Sequence, residues 1–89
     1  MIEKEITIVN RLGLHARAAA KFVHAASNFR SKITLSRDGR QIDGKSILGI
    51  LMLAAAQGTK LTLRVDGPDE GDACQGLVNL IDDKFGEGQ

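Results

Sequence analysis

The pair of side chains best suited to chemistry is His15 and Arg17, which follow a glycine at position 13. A neutral imidazole nitrogen is a nucleophile and can take a phosphoryl group. Because His15 precedes an apolar helical pattern, the free N–H groups of Ala16 and Arg17 could hold phosphate oxygens. The guanidinium of Arg17 has the fork geometry and fixed charge that suit phosphate. The alternative is that His15 only caps a helix and Arg17 is a solvated charge.

A second candidate is the segment Gly39–Ser46, which matches the nucleotide-binding pattern G-x-x-x-x-G-K-[ST]. Gly39 is better explained by an Asp38-Gly39 hairpin turn. Residues 40–42 have the pattern of a strand, whereas a nucleotide site needs a phosphate-binding loop at that place. Nucleotide binding is therefore the weaker hypothesis. Ser46 stands directly before a short apolar run, so it is predicted to be a helix N-cap.

Periodicity around these residues predicts an α+β fold with the order β-α-β-β-α-β-α. We expect an open-faced β-sandwich, in which a four-stranded, mainly antiparallel sheet carries three helices on one face. The first helix is predicted over 16–27 and the second begins after Ser46, with Gly58 at its C-terminal turn. Strands are predicted over 2–9, around Ile33 and Leu35, at Ile42 and over 61–65. Cys74, Leu77, Val78, Ile81 and Phe85 form the apolar stripe of the last helix.

Composition limits the function classes that remain. The chain has 89 residues, so residues 1–89 are predicted to form a single domain. Net charge is +1, with +5 over residues 1–45 and −6 over residues 66–89, where the acidic last helix is predicted to be a solvated face. This mixed surface with three aromatic residues argues against nucleic-acid binding.

Targeting and metal signals are also weak. Cys74 is the only cysteine, and the two histidines have no third ligand nearby, so we expect no metal and no cofactor. The first residues are too charged for a signal peptide, and no apolar run is long enough to span a membrane. We therefore expect a cytoplasmic protein without a membrane interaction.

Two helical surfaces are candidates for docking a partner. Arg17, Ala20, Lys21 and His24 share one face of the first helix. The second helix has more apolar positions than its own burial needs, so some are expected to be exposed. These positions are Ile47, Leu48, Leu51 and Met52. The alternative for the first helix is an ordinary solvated face.

The segment Gly13–Arg17 resembles the phosphorylation-site signature of the HPr family, the histidine-containing phosphocarriers of the bacterial phosphotransferase system. The resemblance covers essentially the whole chain and includes Gly44-Lys45-Ser46 and the order of elements. One residue departs from the family pattern, because Ala18 stands where the family usually has proline. Alanine is a good helix former, so the helix should form, with slightly looser geometry at the site.

The resemblance implies a carrier acted on by other enzymes, and not an enzyme itself. Phosphorylated Enzyme I would pass its phosphoryl group to Nδ1 of His15, and the chain would donate it to a IIA-type protein. The first two helices would form the docking surface of a monomer. An HPr kinase/phosphorylase would modify Ser46. A regulatory interaction protein of the same fold, in which His15 carries no phosphate, is the remaining alternative.

Overall fold

The computed structural model describes residues 1–87. Its elements follow the predicted order, with a short 3₁₀ turn added after the last helix. They are β1 (Ile2–Thr7), α1 (Ala16–Ala26), β2 (Lys32–Arg37), β3 (Arg40–Asp43), α2 (Ile47–Met52), β4 (Lys60–Asp66), α3 (Glu70–Asp82) and the turn Lys84–Gly86. In the described part of the chain, no helix is both long enough and apolar enough to cross a membrane.

The four strands form one sheet in the order β1-β4-β2-β3, and every neighbouring pair is antiparallel. Alternate residues of β4 are buried, namely Leu61, Leu63 and Val65. Because alternate side chains of a strand point to opposite faces, the apolar core lies on one face of the sheet, under the helices. The prediction of an α+β open-faced sandwich with three helices is confirmed.

The turn between β2 and β3 confirms the hairpin prediction. Asp38 has φ +51° and Gly39 has φ +82°, so both central residues have the positive φ of a type I′ turn. Arg40–Asp43 pairs with β2 as a strand, and Lys45 donates from Nζ to the backbone oxygen of Phe29 at 2.8 Å. Gly39–Ser46 is thus a turn and a strand, and the nucleotide-loop alternative is wrong.

Three boundaries differ from the sequence-based expectation by two residues or more, whereas the ends of α1 and β4 differ by one residue. β1 ends at Thr7 instead of residue 9. α2 ends at Met52, so Gly58 lies in the loop before β4 and not at the end of a helix. α3 ends at Asp82, and Phe85 belongs to the following turn, although it is buried as its place in the apolar stripe suggested.

Asp69 holds the start of α3 to the loop between α1 and β2. Its carboxylate accepts hydrogen bonds from the backbone N–H groups of Arg30 and Ser31, at 2.8 and 2.9 Å, and from the Ser31 hydroxyl at 2.5 Å. The Ser31 hydroxyl bond and the Arg30 amide bond hold the pKa of Asp69 below its ordinary value. Asp69 therefore connects two segments that are distant in sequence.

We expect this carboxylate to make the stability of the fold depend on pH. A folded pKa below the unfolded value of 3.8 means that the stabilisation is fully present above pH 3.8 and is lost as pH falls through the folded pKa. Urea unfolding should show that Asp69→Asn is less stable than the unmodified chain at pH 7 and that the difference narrows below pH 3.8. The exposed Asp82→Asn is the control, and a pH-independent difference for Asp69→Asn would contradict this role.

Candidate functional site

His15 is the N-cap of α1. Its backbone is extended, with φ −77° and ψ 177°, and its Nδ1 accepts a hydrogen bond from the backbone N–H of Arg17 at 3.3 Å. An N-cap side chain normally satisfies one of the free N–H groups of the first turn. Nδ1 therefore faces the positive end of the helix. The cap predicted for His15 is present, and the same geometry is compatible with the predicted role of Nδ1 as a nucleophile.

The loop before His15 is held against the chain that follows α2. Leu14 donates its backbone N–H to Ala55 O at 2.8 Å. Gly13 has φ +69°, and a Cβ on it would lie 2.5 Å from the same oxygen. Only glycine fits this approach without a shift of backbone. Asn10 also holds the loop, because its Nδ2 donates a hydrogen bond to Gly13 O at 2.7 Å.

Glu87 completes the surroundings of the imidazole. Its Oε2 contacts Nε2 of His15, and its Oε1 accepts a hydrogen bond from Asn10 Nδ2 at 3.1 Å. The Glu87 side chain is only 8% exposed. Partial burial raises the pKa of the Glu87 carboxyl, but the hydrogen bonds from His15 and Asn10 outweigh that effect, so the pKa lies below its ordinary value. The carboxylate is therefore ionised at neutral pH.

Sequence reasoning missed both Glu87 and Asn10. The solvated face was predicted for the acidic last helix, and Glu87 lies beyond the end of that helix at Asp82. Glu87 lies 72 positions from His15, and no spacing rule connects residues so far apart. The one available signal for Asn10 is its position in the loop before His15.

The candidate docking residues of α1 lie together. They line an open groove together with Ala25 of the same helix and Leu80 of α3. The four predicted residues in this groove are Arg17, Ala20, Lys21 and His24. Arg17, Ala20 and His24 are exposed, as expected. Lys21 is half-buried, and its Nζ donates to Phe85 O at 2.7 Å, so this ammonium group also holds the turn after α3.

The helix α2 presents an apolar patch made of Ile47, Leu48 and Met52. These side chains are 43%, 70% and 56% exposed, respectively. Leu51, which was grouped with them, is half-buried and packs against the core. We use "α2 patch" for the three exposed residues only.

Ser46 is the N-cap of α2, as the sequence predicted. Its Oγ accepts a hydrogen bond from the backbone N–H of Gly49 at 3.0 Å. The residue is half-buried and directly precedes the α2 patch. A group attached to Oγ would therefore stand at the edge of this patch.

Metal-ligating side chains do not gather in the described residues. No group of three or more His, Cys, Asp or Glu side chains within residues 1–87 could hold a metal ion. Cys74 is a free, buried cysteine of α3. His15 and His24 lie on different parts of α1, the cap and the outer groove.

Comparison with known proteins identifies the family. The family model "PTS HPr component phosphorylation site" matches residues 2–83. The phosphocarrier protein HPr of Cupriavidus necator is 53% identical over 89 residues, which is the whole of both chains. A crystal structure of an HPr from Thermoanaerobacter tengcongensis superposes with a TM-score of 0.94 at 47% identity, over 98% of each chain. A structure described as an HPr dimer of that organism has a TM-score of 0.79 at 47% identity, over 98% of this chain and all of that one. The chain therefore belongs to the HPr family, the phosphocarriers of the phosphotransferase system.

Proposed function

We propose that the chain accepts a phosphoryl group on Nδ1 of His15 from phosphorylated Enzyme I and donates it to a IIA-type protein. One observation carries this proposal: the Nδ1 lone pair points at the N-terminal turn of α1, where it accepts the Arg17 N–H. The nucleophile is therefore unprotonated and adjacent to an anion-binding helix end. The chain is a substrate of other enzymes and has no turnover of its own.

The roles of the neighbouring groups follow from their chemistry. When Nδ1 bonds to phosphorus, the N–H groups of Ala16 and Arg17 are free to receive phosphate oxygens. The exposed Arg17 guanidinium can reach the same oxygens from the groove side. Catalysis comes mainly from positioning and charge stabilisation, as is general for phosphoryl transfer.

The decisive experiment is intact-protein mass measurement after incubation with phosphoenolpyruvate and Enzyme I. We expect one acid-labile phosphoryl adduct on the unmodified chain and none on His15→Ala. His24→Ala, which changes the other histidine, is the matched control and should still be labelled. If an Enzyme I that labels an authentic HPr leaves this chain unlabelled, the relay is refuted and a purely regulatory role of the fold takes its place.

The docking surface for Enzyme I and IIA-type partners is proposed to combine the α1 groove with the α2 patch. The two helices pack against each other, so a basic rim around Arg17 borders an apolar centre of three exposed side chains. Such a centre with a polar rim is the usual anatomy of a protein interface. A monomer leaves this face open to successive partners in the cytoplasm.

Ser46 is proposed as a regulatory phosphorylation site for an HPr kinase/phosphorylase. Its hydroxyl is at a helix N-terminus, where a phosphate would be favoured by the helix dipole and tolerated by the fold. The phosphate would also add about −1.5 to −2 charges beside the α2 patch. Repulsion of an acidic Enzyme I surface would then weaken docking.

This regulation can be tested with Ser46→Asp. We expect the KM for phosphorylation by Enzyme I to rise about fivefold, which corresponds to roughly 1 kcal/mol for one added charge in a solvated interface. The kcat should stay unchanged, because the added charge is at the cap of α2, whereas His15 is at the cap of another helix, α1. Ser46→Asn is the control, since asparagine caps the helix equally well without a charge. Equal KM values for the two variants would count against the regulatory role.

A further inference from the structure

Both oxygens of the Glu87 carboxylate have partners in the site. One contacts His15 Nε2 and the other accepts the Asn10 amide. The Asn10 side chain is fully buried, and the Glu87 side chain nearly so. A carboxylate with both oxygens engaged cannot rotate freely, so it gives the imidazole a fixed acceptor on the side opposite Nδ1.

The hydrogen bond on the other ring nitrogen favours one tautomer, but at 3.3 Å it is long and does not fix the tautomer alone. Nδ1 accepts the backbone N–H of Arg17, so its lone pair is in the plane of the ring and unprotonated. In the neutral imidazole this arrangement places the hydrogen on Nε2, where the Glu87 carboxylate accepts it in the stronger of the two contacts. The two contacts select the same tautomer.

We propose that Glu87 is a positioning residue that holds His15 as the Nε2–H tautomer, so that Nδ1 is the nitrogen that takes the phosphoryl group. This inference rests on the proposed phosphoryl transfer. A carboxylate behind a histidine fixes the tautomer and orientation of the ring in metal sites and in hydrolase triads. Glu87, in the segment that follows α3, has the same physical role.

Glu87 also acts on the charge that the transfer creates. As the Nδ1 lone pair bonds to phosphorus, the bond between phosphorus and its donor atom breaks, and the donor keeps the electron pair. The proton stays on Nε2, so the phosphorylated ring becomes a cation. The adjacent carboxylate neutralises this cation, and the balance reverses when the phosphoryl group leaves.

Asn10 and Lys21 keep Glu87 in place. Asn10 Nδ2 joins the carboxylate to the carbonyl of Gly13, and therefore to the loop that positions His15. Lys21 Nζ holds the carbonyl of Phe85, two residues before Glu87. The oxygen Oδ1 of Asn10 is buried and has no partner among residues 1–87, so the two donor contacts of Nδ2 determine the orientation of this amide.

The test measures the tautomer directly, by ¹⁵N NMR of the imidazole in the unphosphorylated full chain. We expect the neutral His15 ring of the unmodified chain to be protonated at Nε2, and Glu87→Ala to lower the Nε2–H fraction, because only the 3.3 Å contact from the Arg17 N–H then favours it. Glu87→Gln should retain most of the preference, because an amide oxygen can still accept Nε2–H. Glu5→Ala removes a carboxylate that is 68% exposed on the sheet, and it should leave the ring unchanged.

Kinetics with Enzyme I provide the second measurement. Glu87→Ala should lower kcat for phosphorylation of His15 by about 10- to 100-fold, the range for loss of a carboxylate behind a histidine ligand. KM should not change, because the Glu87 side chain is only 8% exposed and offers little surface to a partner. An Nδ1–H ring in the unmodified chain, or unchanged tautomer and kcat in Glu87→Ala, would overturn the proposal. If the unmodified chain is not phosphorylated at all, the carrier function fails, and the tautomer measurement alone decides the role of Glu87.

Discussion

Arg17→Ala is expected to accept a phosphoryl group from Enzyme I more slowly by on the order of 10²- to 10³-fold, the loss typical of removing one preorganised donor to a transition-state oxygen. The guanidinium is exposed at the groove edge, two residues from the nucleophile, and makes no ion pair within residues 1–87. It is therefore free to meet an incoming phosphate. Single-turnover rates of His15 phosphorylation measure the effect without product release.

Arg17→Lys is the informative companion to this variant. Lysine retains the charge but loses the planar fork, so a rate between those of the alanine variant and the unmodified chain is expected. The backbone N–H that reaches Nδ1 is the same in all three proteins, so His15 keeps its cap. The loss of one such donor normally costs far more than a factor of about two. If the rate for Arg17→Ala is within that factor of the unmodified chain, the helix N–H groups alone are enough to stabilise the phosphate.

The largest effect on stability is expected for Phe85→Ala, at about 3–5 kcal/mol of the free energy of unfolding. The ring is 1% exposed and borders the same small apolar space as Leu14 and Phe22. Lys84 and Phe85 both have φ +55°, a backbone conformation that is unfavourable for residues with a side chain. Burial of the ring offsets this cost, so its removal should also release the turn that brings Glu87 to His15.

Urea unfolding with and without the substitution measures this loss. Phe85→Leu is the control, because it keeps much of the buried volume and should retain most of the stability. Because Phe85→Ala affects the position of Glu87 as well, its phosphorylation kcat should fall even under conditions where it remains folded. Replacement of a buried phenylalanine by alanine usually costs much more than about 1 kcal/mol. A smaller loss of unfolding free energy would mean that the segment after α3 is not part of the core.

The sequence predicted most of the fold because turns, caps and strand alternation depend on residues that are close together in the chain. The Asp38-Gly39 turn needs two residues with positive φ, and alternation in β4 identifies a half-buried strand. The caps at His15 and Ser46 follow from residue type and from the apolar runs behind them. Ala18 replaced proline without loss of the helix, since alanine is fully compatible with the first turn.

The contacts that complete the site were beyond sequence reasoning because they are long-range. α3 ends at Asp82 through positive φ at Lys84 and Phe85, and neither residue is a glycine that would signal such a turn. The result is that Glu87 turns back toward His15 instead of continuing a solvated helix. Lys21, which was expected on an open docking face, is held by Phe85 for the same reason.

His15 and Glu87 are 72 positions apart, so the two sides of the site are synthesised at different times. The nucleophile and its helix leave the ribosome early, whereas the carboxylate behind the imidazole leaves only after the last helix. A truncated chain that lacks the residues after Asp82 would lose the buried Phe85 ring as well as the carboxylate, so it would be less stable and its folded fraction would have no acceptor on Nε2. Incomplete translation products of this protein are therefore expected to be poor carriers.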